Sequence, residues 1–542
     1  MMGQMQDWPL LLSRMIDHVE RNHSEQEVVS KLAEGGEFRY TWGALVGRAR
    51  QLAAALARLG VVEGDRLGTL AWNTHRHVEA WFAAIGMGAV AHTINPRLFP
   101  EQLSYIINHA EDKVILVDIT FVPLLEALSD KLSGVRHFII MTDRAHMPET
   151  GLPNVLCYED LIAAEAADFV WKTVDEKAAC GLCYTSGTTG NPKGVLYSHR
   201  STFLHSLVTM SGDTLGISAR DSILPVVPMF HANGWGVPYS AAAAGAKLVL
   251  NGPVHEADIL HGYMEDEGVT STAAVPTIWL GMLDYLRKSG KRLDTLKSVT
   301  IGGSAAPRTM IEAFEKEYDV RVQHAWGMTE MNPLGTVGSM NGHTATMPYD
   351  QQLDLKCKQG RPPIGVEMKI TDDEGNELPR DGESAGHVMV RGPWVVQSYF
   401  KNEGGEILDE DGWFDTGDVA NLDAYGFMQI TDRSKDVIKS GGEWISSIDL
   451  ENEAVGHPGV AEAAVIGIHH PKWDERPLLI IVGQDGQIPD KADMLNYLEG
   501  RIAKWWMPDD VVVVDEIPHT ATGKILKTAL RDQFRDYTLP TA

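Results

Sequence analysis

Between Tyr184 and Val195 the chain reads YTSGTTGNPKGV, with three glycines (Gly187, Gly190, Gly194), four small hydroxyl residues (Thr185, Ser186, Thr188, Thr189) and one lysine, Lys193. Glycines let successive backbone amides approach an anion closely, hydroxyls add donors, and a lysine adds a full positive charge. That chemistry cradles phosphate. The loop is not a Walker A sequence, because no G-K-[ST] follows a first glycine at the required spacing. Taken alone it also reads as a solvated Gly/Thr connector, so the rest of the chain has to decide.

The flanks place this loop after a strand, AACGLCYTS, and before a helix that begins near Ser198. The first 180 residues alternate helical stretches such as GALVGRARQLAAALARLG with short apolar strands such as RLGTLAW and KVILVD, an α/β pattern. It returns between Leu296 and Glu330, where LKSVTIGG reads as a strand, PRTMIEAFEKEY as a helix opening on Pro307, and VRVQHAWG as the next strand. Ligands of such sheets lie beyond the carboxyl ends of the strands, so Gly302 to Ala306 and Ala325 to Glu330 should face one crevice. From about Gly365, short strands and Gly/Asp turns predict a β-rich subdomain. A smaller lobe follows Arg433, and the lobes should meet near TDRSKDVIKSGG.

A chain of 542 residues, 44% hydrophobic and 22% charged, predicts a globular protein of at least two domains. No apolar run reaches bilayer length, and the opening MMGQMQDWPLLL lacks a basic leader and cleavage site, so a cytoplasmic location with no membrane insertion is expected. Four cysteines argue against a disulfide scaffold; Cys180 and Cys183 make a C-x-x-C with no completing pair, and read as small residues packed in a strand. The net charge of −27 opposes nucleic-acid binding, so any polyanionic ligand must meet local donors.

Seven stretches together, YTSGTTGNPKGV, PMFHANGWG, GGSAAP, AWGMTE, GWFDTGD, DRSKDVIKSGGEWIS and PHTATGKILK, resemble in kind and order the motifs of the ANL superfamily of adenylate-forming enzymes. The resemblance spans essentially the whole chain. It implies a large N-terminal AMP-binding domain (1–432) of stacked mixed sheets with helices plus the β-rich subdomain, and a small mobile C-terminal α+β lobe (433–542), with a hinge at Lys435. It also implies a reaction in two steps: a carboxylate attacks the α-phosphorus of ATP to give acyl-AMP and pyrophosphate, then a thiol displaces AMP.

By the same resemblance, Lys524 contacts the α-phosphate and the carboxylate oxygen, and Thr185 and Glu330 hold Mg²⁺ carried by ATP. The nucleotide is bound by Thr185, Ser186, Gly187, Thr188, Thr189, Gly190, Lys193, Gly303, Ser304, Ala305, Ala325, Trp326, Gly327, Met328 and Thr329. Trp326 stands where tyrosine is more usual and packs on adenine, Asp418 takes the ribose hydroxyls, Arg433 contacts ribose or phosphate, and Lys435 and Lys439 complete the set. His231, Trp235, Gly302 and Pro333 border the acid, with Trp235 gating or walling its tunnel. Gly441, Gly442, Glu443 and Trp444 border the pantetheine arm.

Within the superfamily the chain is similar to bacterial short- to medium-chain fatty acyl-CoA ligases and 3-methylmercaptopropionate:CoA ligases. That implies ATP, Mg²⁺ and CoA, a small thioether or aliphatic acid with 3-methylmercaptopropionate foremost, and a homodimer. The sequence ends 18 residues after Lys524, so free CoA is the expected acceptor rather than a fused carrier domain. A medium- or long-chain ligase, an enzyme that stops at or oxidises acyl-AMP, and a non-catalytic nucleotide-binding regulator are the competing readings.

Overall fold

The computed structural model describes residues 1–185, 191–433, 436–441, 443–484, 488–519 and 525–542. The chain divides into two compact units, one of residues 1–367 with 391–408, the other of 368–390 with 409–542.

Among the described residues the first unit holds two large mixed sheets. One runs Val155–Cys157, His137–Ile140, Val114–Val117, Arg66–Leu70, Val90–Thr93, Ala179–Tyr184 and Gly194–Ser198; its pairings are parallel until the last, which is antiparallel. The other runs Leu334–Val337, Arg321–Gly327, Ser298–Ile301, Ser271–Ala274, Ser222–Pro225, Lys247–Leu250, Glu27–Lys31 and Glu37–Thr41, parallel inside and antiparallel at both edges. Interior strands of such sheets are covered on both faces, which is why VILV (114–117) and SVTI (298–301) are wholly buried.

The helices follow their sequence patterns. Trp42–Arg58 starts where the Thr41 side chain accepts from the Ala44 amide, and it buries Leu45, Val46, Ala49, Leu52, Ala53 and Leu56 along one stripe. Arg308–Tyr318 opens behind Pro307 and buries Met310, Ile311, Phe314 and Tyr318. Among the described residues no helix is long and apolar enough to cross a membrane.

One charged cluster in this unit lies inside, not on the surface. Glu79, fully buried, accepts from the Tyr40 hydroxyl (2.9 Å), the Tyr158 hydroxyl (2.6 Å) and Arg48 Nε (2.7 Å), while Arg48 also grips Glu159 through two nitrogens (2.9 Å each). Breaking a buried pair by removing one partner typically costs about 3–5 kcal/mol, because the other charge stays buried and uncompensated. Arg48→Met is therefore expected to lower the urea midpoint markedly. A midpoint equal to that of the unaltered chain would show that water compensates Glu79.

The second unit carries one sheet of Glu367–Thr371, Ala385–Arg391, Phe414–Leu422 and Met428–Arg433, the expected β-rich texture. Its other sheet runs Glu443–Ile445, Ile438–Ser440, Asp474–Gly483 and Val460–His470, with Asp510–Val514 paired in parallel to Asp474–Gly483. The helices Ser447–Val455, Lys491–Leu498 and Lys527–Gln533 accompany it. Ile438, Ile445, Leu450, Val465, Leu479, Ile481, Met494 and Leu498 share one hydrophobic core there, so this α+β portion has packing of its own.

Candidate active site

The Gly/Thr loop joins two strands, not a strand and a helix as its flanks led us to expect. Ala179–Tyr184 pairs antiparallel with Gly194–Ser198, and the helix His199–Thr209 begins only after it, capped by the Ser198 side chain. The neck of the loop is closed twice: Thr185 N donates to Lys193 O (2.9 Å), and Lys193 N donates to Thr185 Oγ1 (3.0 Å). Gly194 is needed for space, since a Cβ there would stand 3.0 Å from Phe400 and 3.2 Å from the Tyr184 ring. Ser186, Gly187, Thr188, Thr189 and Gly190 lie outside the described residues. Lys193 is exposed, its ammonium 4.7 Å above the ring of Tyr399.

The two expected crest segments do come together. Ser298–Ile301 and Arg321–Gly327 are neighbours in register, so Gly302 and Ala325 emerge side by side; a Cβ on Gly302 would sit 3.0 Å from the Ala325 carbonyl oxygen. Gly303 (φ +86°) and Ser304 are exposed, and Ala305 is half-buried. Trp326 is 8% exposed, and its ring lies where a Cβ on Gly335 would be 2.3 Å away, so the two form a fitted pair on adjacent strands.

Past Gly327 and Met328 the chain makes a short turn, Thr329–Met331. Thr329 O accepts from the Tyr197 hydroxyl (2.7 Å), and Glu330 O accepts from Val396 N (2.7 Å). The Glu330 carboxylate, on a residue only 8% exposed, accepts from the Tyr399 hydroxyl (2.8 Å). Pro333 is buried, and its carbonyl accepts from Met328 N (3.0 Å).

The segment expected to border the acid is built on strain. After the strand Ser222–Pro225, Asn73 fixes the chain by donating to Pro225 O and Val227 O and accepting from Met229 N. His231 follows, half-buried and extended. Ala232, Asn233, Gly234, Trp235 and Gly236 are then all left-handed, with φ of +42°, +51°, +55°, +56° and +72°. For side chains other than glycine this costs roughly 1–2 kcal/mol per residue, so surrounding structure must hold it.

Two supports are visible. Asn233 Oδ1 accepts from Thr93 Oγ1 (3.4 Å) and Cys183 Sγ (3.2 Å), and Gly236 lies against the ring of His205, where a Cβ would meet it at 2.9 Å. Burial pushes His205 down to about 3, so the ring is neutral and its Nε2 accepts from Leu334 N. The turn projects Trp235 onto the crest, its ring 3.0 Å from where a Cβ on Gly302 would be. Trp235, Gly302 and Ala325 thus share one place, and His205, Asn233 and Asn73 are supports that motif reading did not find. Asn233 alone had a local signal, as asparagine tolerates left-handed backbone better than most residues.

Cys180 and Cys183 are buried in the strand before the loop, and burial raises their thiols to about 12 and about 11. They pack as the spacing led us to expect.

In the second unit Asp418 is buried on Phe414–Leu422, directly across the ladder from Arg433, and its amide donates to Thr416 Oγ1 (3.1 Å). Lys439, on Ile438–Ser440, pairs with Trp444, and Ser440 pairs with Glu443. Gly441 (φ +62°) donates from its amide to Trp473 O (2.7 Å) and leaves room for two rings, Trp473 and Trp505, at 3.0 and 3.4 Å from a Cβ in its place. Lys435, Gly442 and Lys524 lie outside the described residues. No local signal announces the packing of Trp473 and Trp505 on Gly441, since they lie 32 and 64 positions beyond it and in none of the seven motifs.

In the first unit an exposed ammonium and a buried carboxylate, both in contact with Tyr399, suit a phosphate chain with a hard divalent cation, which typically takes only one or two protein oxygens. The Glu330 carboxylate and the Thr185 hydroxyl are oxygens of that hard kind. The comparisons agree in kind. The model for the AMP-binding enzyme family matches residues 16–400, and that for the AMP-binding enzyme C-terminal domain matches 449–524. The chain is 52% identical to a 3-methylmercaptopropionyl-CoA ligase of Ruegeria lacuscaerulensis over 99% of both chains. It is 49% identical to a medium-chain-fatty-acid–CoA ligase of Ectopseudomonas oleovorans, over 99% of this chain and 98% of that one. Among solved structures, the anthranilate CoA ligase AuaEII in complex with anthranoyl-AMP superposes with a TM-score of 0.85 at 26% identity, covering 98% of this chain and 99% of that one.

Proposed function

The chain belongs to the AMP-binding enzyme family, and on that premise we propose that it joins 3-methylmercaptopropionate to CoA with ATP, and accepts short straight-chain acids in its place. It is an acid–thiol ligase: carboxylate, ATP and CoA become acyl-CoA, AMP and pyrophosphate through an acyl-adenylate. The likeness to the Ruegeria ligase over the full length of both chains carries the substrate reading.

Adenylation drives one anion onto another, so its barrier is chiefly one of charge and position. Lys193 and the amides and hydroxyls of residues 185–190 take up the phosphates, and Lys524 meets the α-phosphate and the attacking carboxylate. Thr185 and Glu330 hold the cation; Mg²⁺ bound with ATP neutralises phosphate charge. Thr329 donates to the α-phosphate, and Trp326 with the Gly303 to Ala305 backbone flanks adenine. Asp418 and Arg433 hold the ribose end, and His231 positions the acid. The C-terminal portion from Arg433 then turns about Lys435, and Gly441 and Gly442 admit the thiol arm between adenylation and thioester formation. A homodimer and a cytoplasmic location complete the proposal; the molar mass by light scattering checks the first.

The deciding experiment measures kcat/KM for thioester formation with 3-methylmercaptopropionate and straight-chain acids from acetate to dodecanoate. A maximum at the thioether or at four to six carbons is expected, since a thioether has nearly the shape of a methylene. A maximum at eight carbons or more favours the alternative, a medium-chain ligase like the Ectopseudomonas relative. AMP release that depends on CoA, without light, sets aside the luciferase-like and regulatory readings.

Trp235 sets the length. One methylene is worth about 1–3 kcal/mol of discrimination in an apolar pocket. Trp235→Ala is expected to raise kcat/KM for octanoate relative to butyrate by at least about tenfold. An unchanged profile would place the end of the pocket elsewhere.

A further inference from the structure

Segment 399–404 ties together the loop neck and Glu330. It is anchored from the helix Pro100–Ala110 and its end: the Tyr105 hydroxyl donates to Glu403 Oε1 (2.6 Å), His109 lies 3.5 Å from the same oxygen, and Lys401 pairs with Glu111 (2.6 Å). Phe400 packs on Gly194, and Gly404 runs beside Lys193, with 3.3 Å between Nζ and a Cβ in its place. Tyr399 leads this strap. Its hydroxyl donates to Glu330 (2.8 Å) while its ring face carries the Lys193 ammonium (4.7 Å), so one half-buried side chain touches both an acid and a base of the phosphate site.

We infer that Tyr399 is a positioning residue of the adenylation step: its hydroxyl orients the Glu330 carboxylate toward the cation that accompanies ATP, and its ring parks Lys193 beside the loop until phosphate takes the ammonium. A carboxylate whose orientation a hydrogen bond already fixes loses less ordering entropy when a cation binds. A cation over an aromatic face is held weakly at an exposed site, so a phosphate oxygen displaces it readily. The hydroxyl and the ring therefore have separable effects. The inference rests on the proposed ATP chemistry.

The test titrates Mg²⁺ into the full chain with ATP and follows nucleotide binding by calorimetry, without acid or CoA, so turnover is not the readout. Tyr399→Phe keeps the ring and loses the hydroxyl; it is expected to raise the Mg²⁺ concentration for half-maximal ATP binding about tenfold, as befits a hydrogen bond to a charged group. ATP affinity at saturating Mg²⁺ should stay within about twofold, and the KM for the acid should not move. Tyr399→Leu should add a loss of ATP affinity of about two- to fivefold even at saturating Mg²⁺, the ring's share. In a Glu330→Gln background, Tyr399→Phe should have no further effect on Mg²⁺ dependence. A Mg²⁺ requirement in Tyr399→Phe equal to wild type, or an additive effect in the Glu330→Gln background, overturns the inference. Wild-type binding of ATP that ignores Mg²⁺ overturns the proposed function beneath it instead.

Discussion

Lys524→Ala is expected to slow acyl-AMP formation by roughly 10²–10³-fold, the usual effect of removing one preorganised donor from developing charge. Thioester formation from supplied acyl-AMP should stay within a few-fold of wild type. The asymmetry follows from where charge gathers. When a carboxylate attacks the α-phosphorus, two anions merge, and a cation between them stabilises the transition state more than the separated reactants. When a thiol attacks acyl-AMP, the charge that develops is on the carbonyl oxygen and the departing phosphate. Acid-dependent exchange of pyrophosphate into ATP reports the first step, and AMP release from acyl-AMP with CoA reports the second. Equal losses in both would mean that Lys524 supports the fold of its lobe and not one chemical step.

What the sequence made legible follows from how local each signal is. Trp42–Arg58 and Arg308–Tyr318 carry their apolar stripe and start signal within one stretch, so the pattern and the structure agree. The meeting of Gly302 with Ala325 needed only that two successive parallel strands be neighbours, which α/β connections favour. Gly194–Ser198 was harder, because five residues between a glycine-rich loop and a helix look like a lead-in until the antiparallel partner is known.

The left-handed run Ala232 to Gly236 has glycines at two of its five places, and nothing local calls for that backbone at Ala232 or Trp235. Its supports come from far along the chain: Thr93 and Cys183 hold Asn233, and His205 fills the space beside Gly236. Glu79 likewise reads as a surface acid of a helix until Tyr40, Arg48 and Tyr158 close around it. Tyr399 lies in none of the seven motifs, yet it touches Lys193 and Glu330, which lie in two of them. A motif is local in sequence; residues that hold it in place come from far along the chain and show only as contacts.

Lys435→Pro is the complement of Lys524→Ala. Proline fixes its own φ near −65° and bars the residue before it from helical backbone, so a hinge that needs two settings of these angles keeps one. If the retained setting is the adenylation pose, pyrophosphate exchange should remain within a few-fold while thioester formation from acyl-AMP falls about 100-fold or more, the scale of a misplaced reacting group. Lys435→Ala separates backbone from side chain: it leaves both angles free, so thioester formation should survive within about tenfold. Were alanine as damaging as proline, the ammonium and not the rotation would be the cause, and alternation about residue 435 would be the wrong account. With a damaging proline and a tolerated alanine, beside a Lys524→Ala chain that fails only at the first step, one chain would show two half-reactions lost independently. The contrast between proline and alanine at one position is what a fixed active site does not produce, because both remove the ammonium and only proline restricts the backbone.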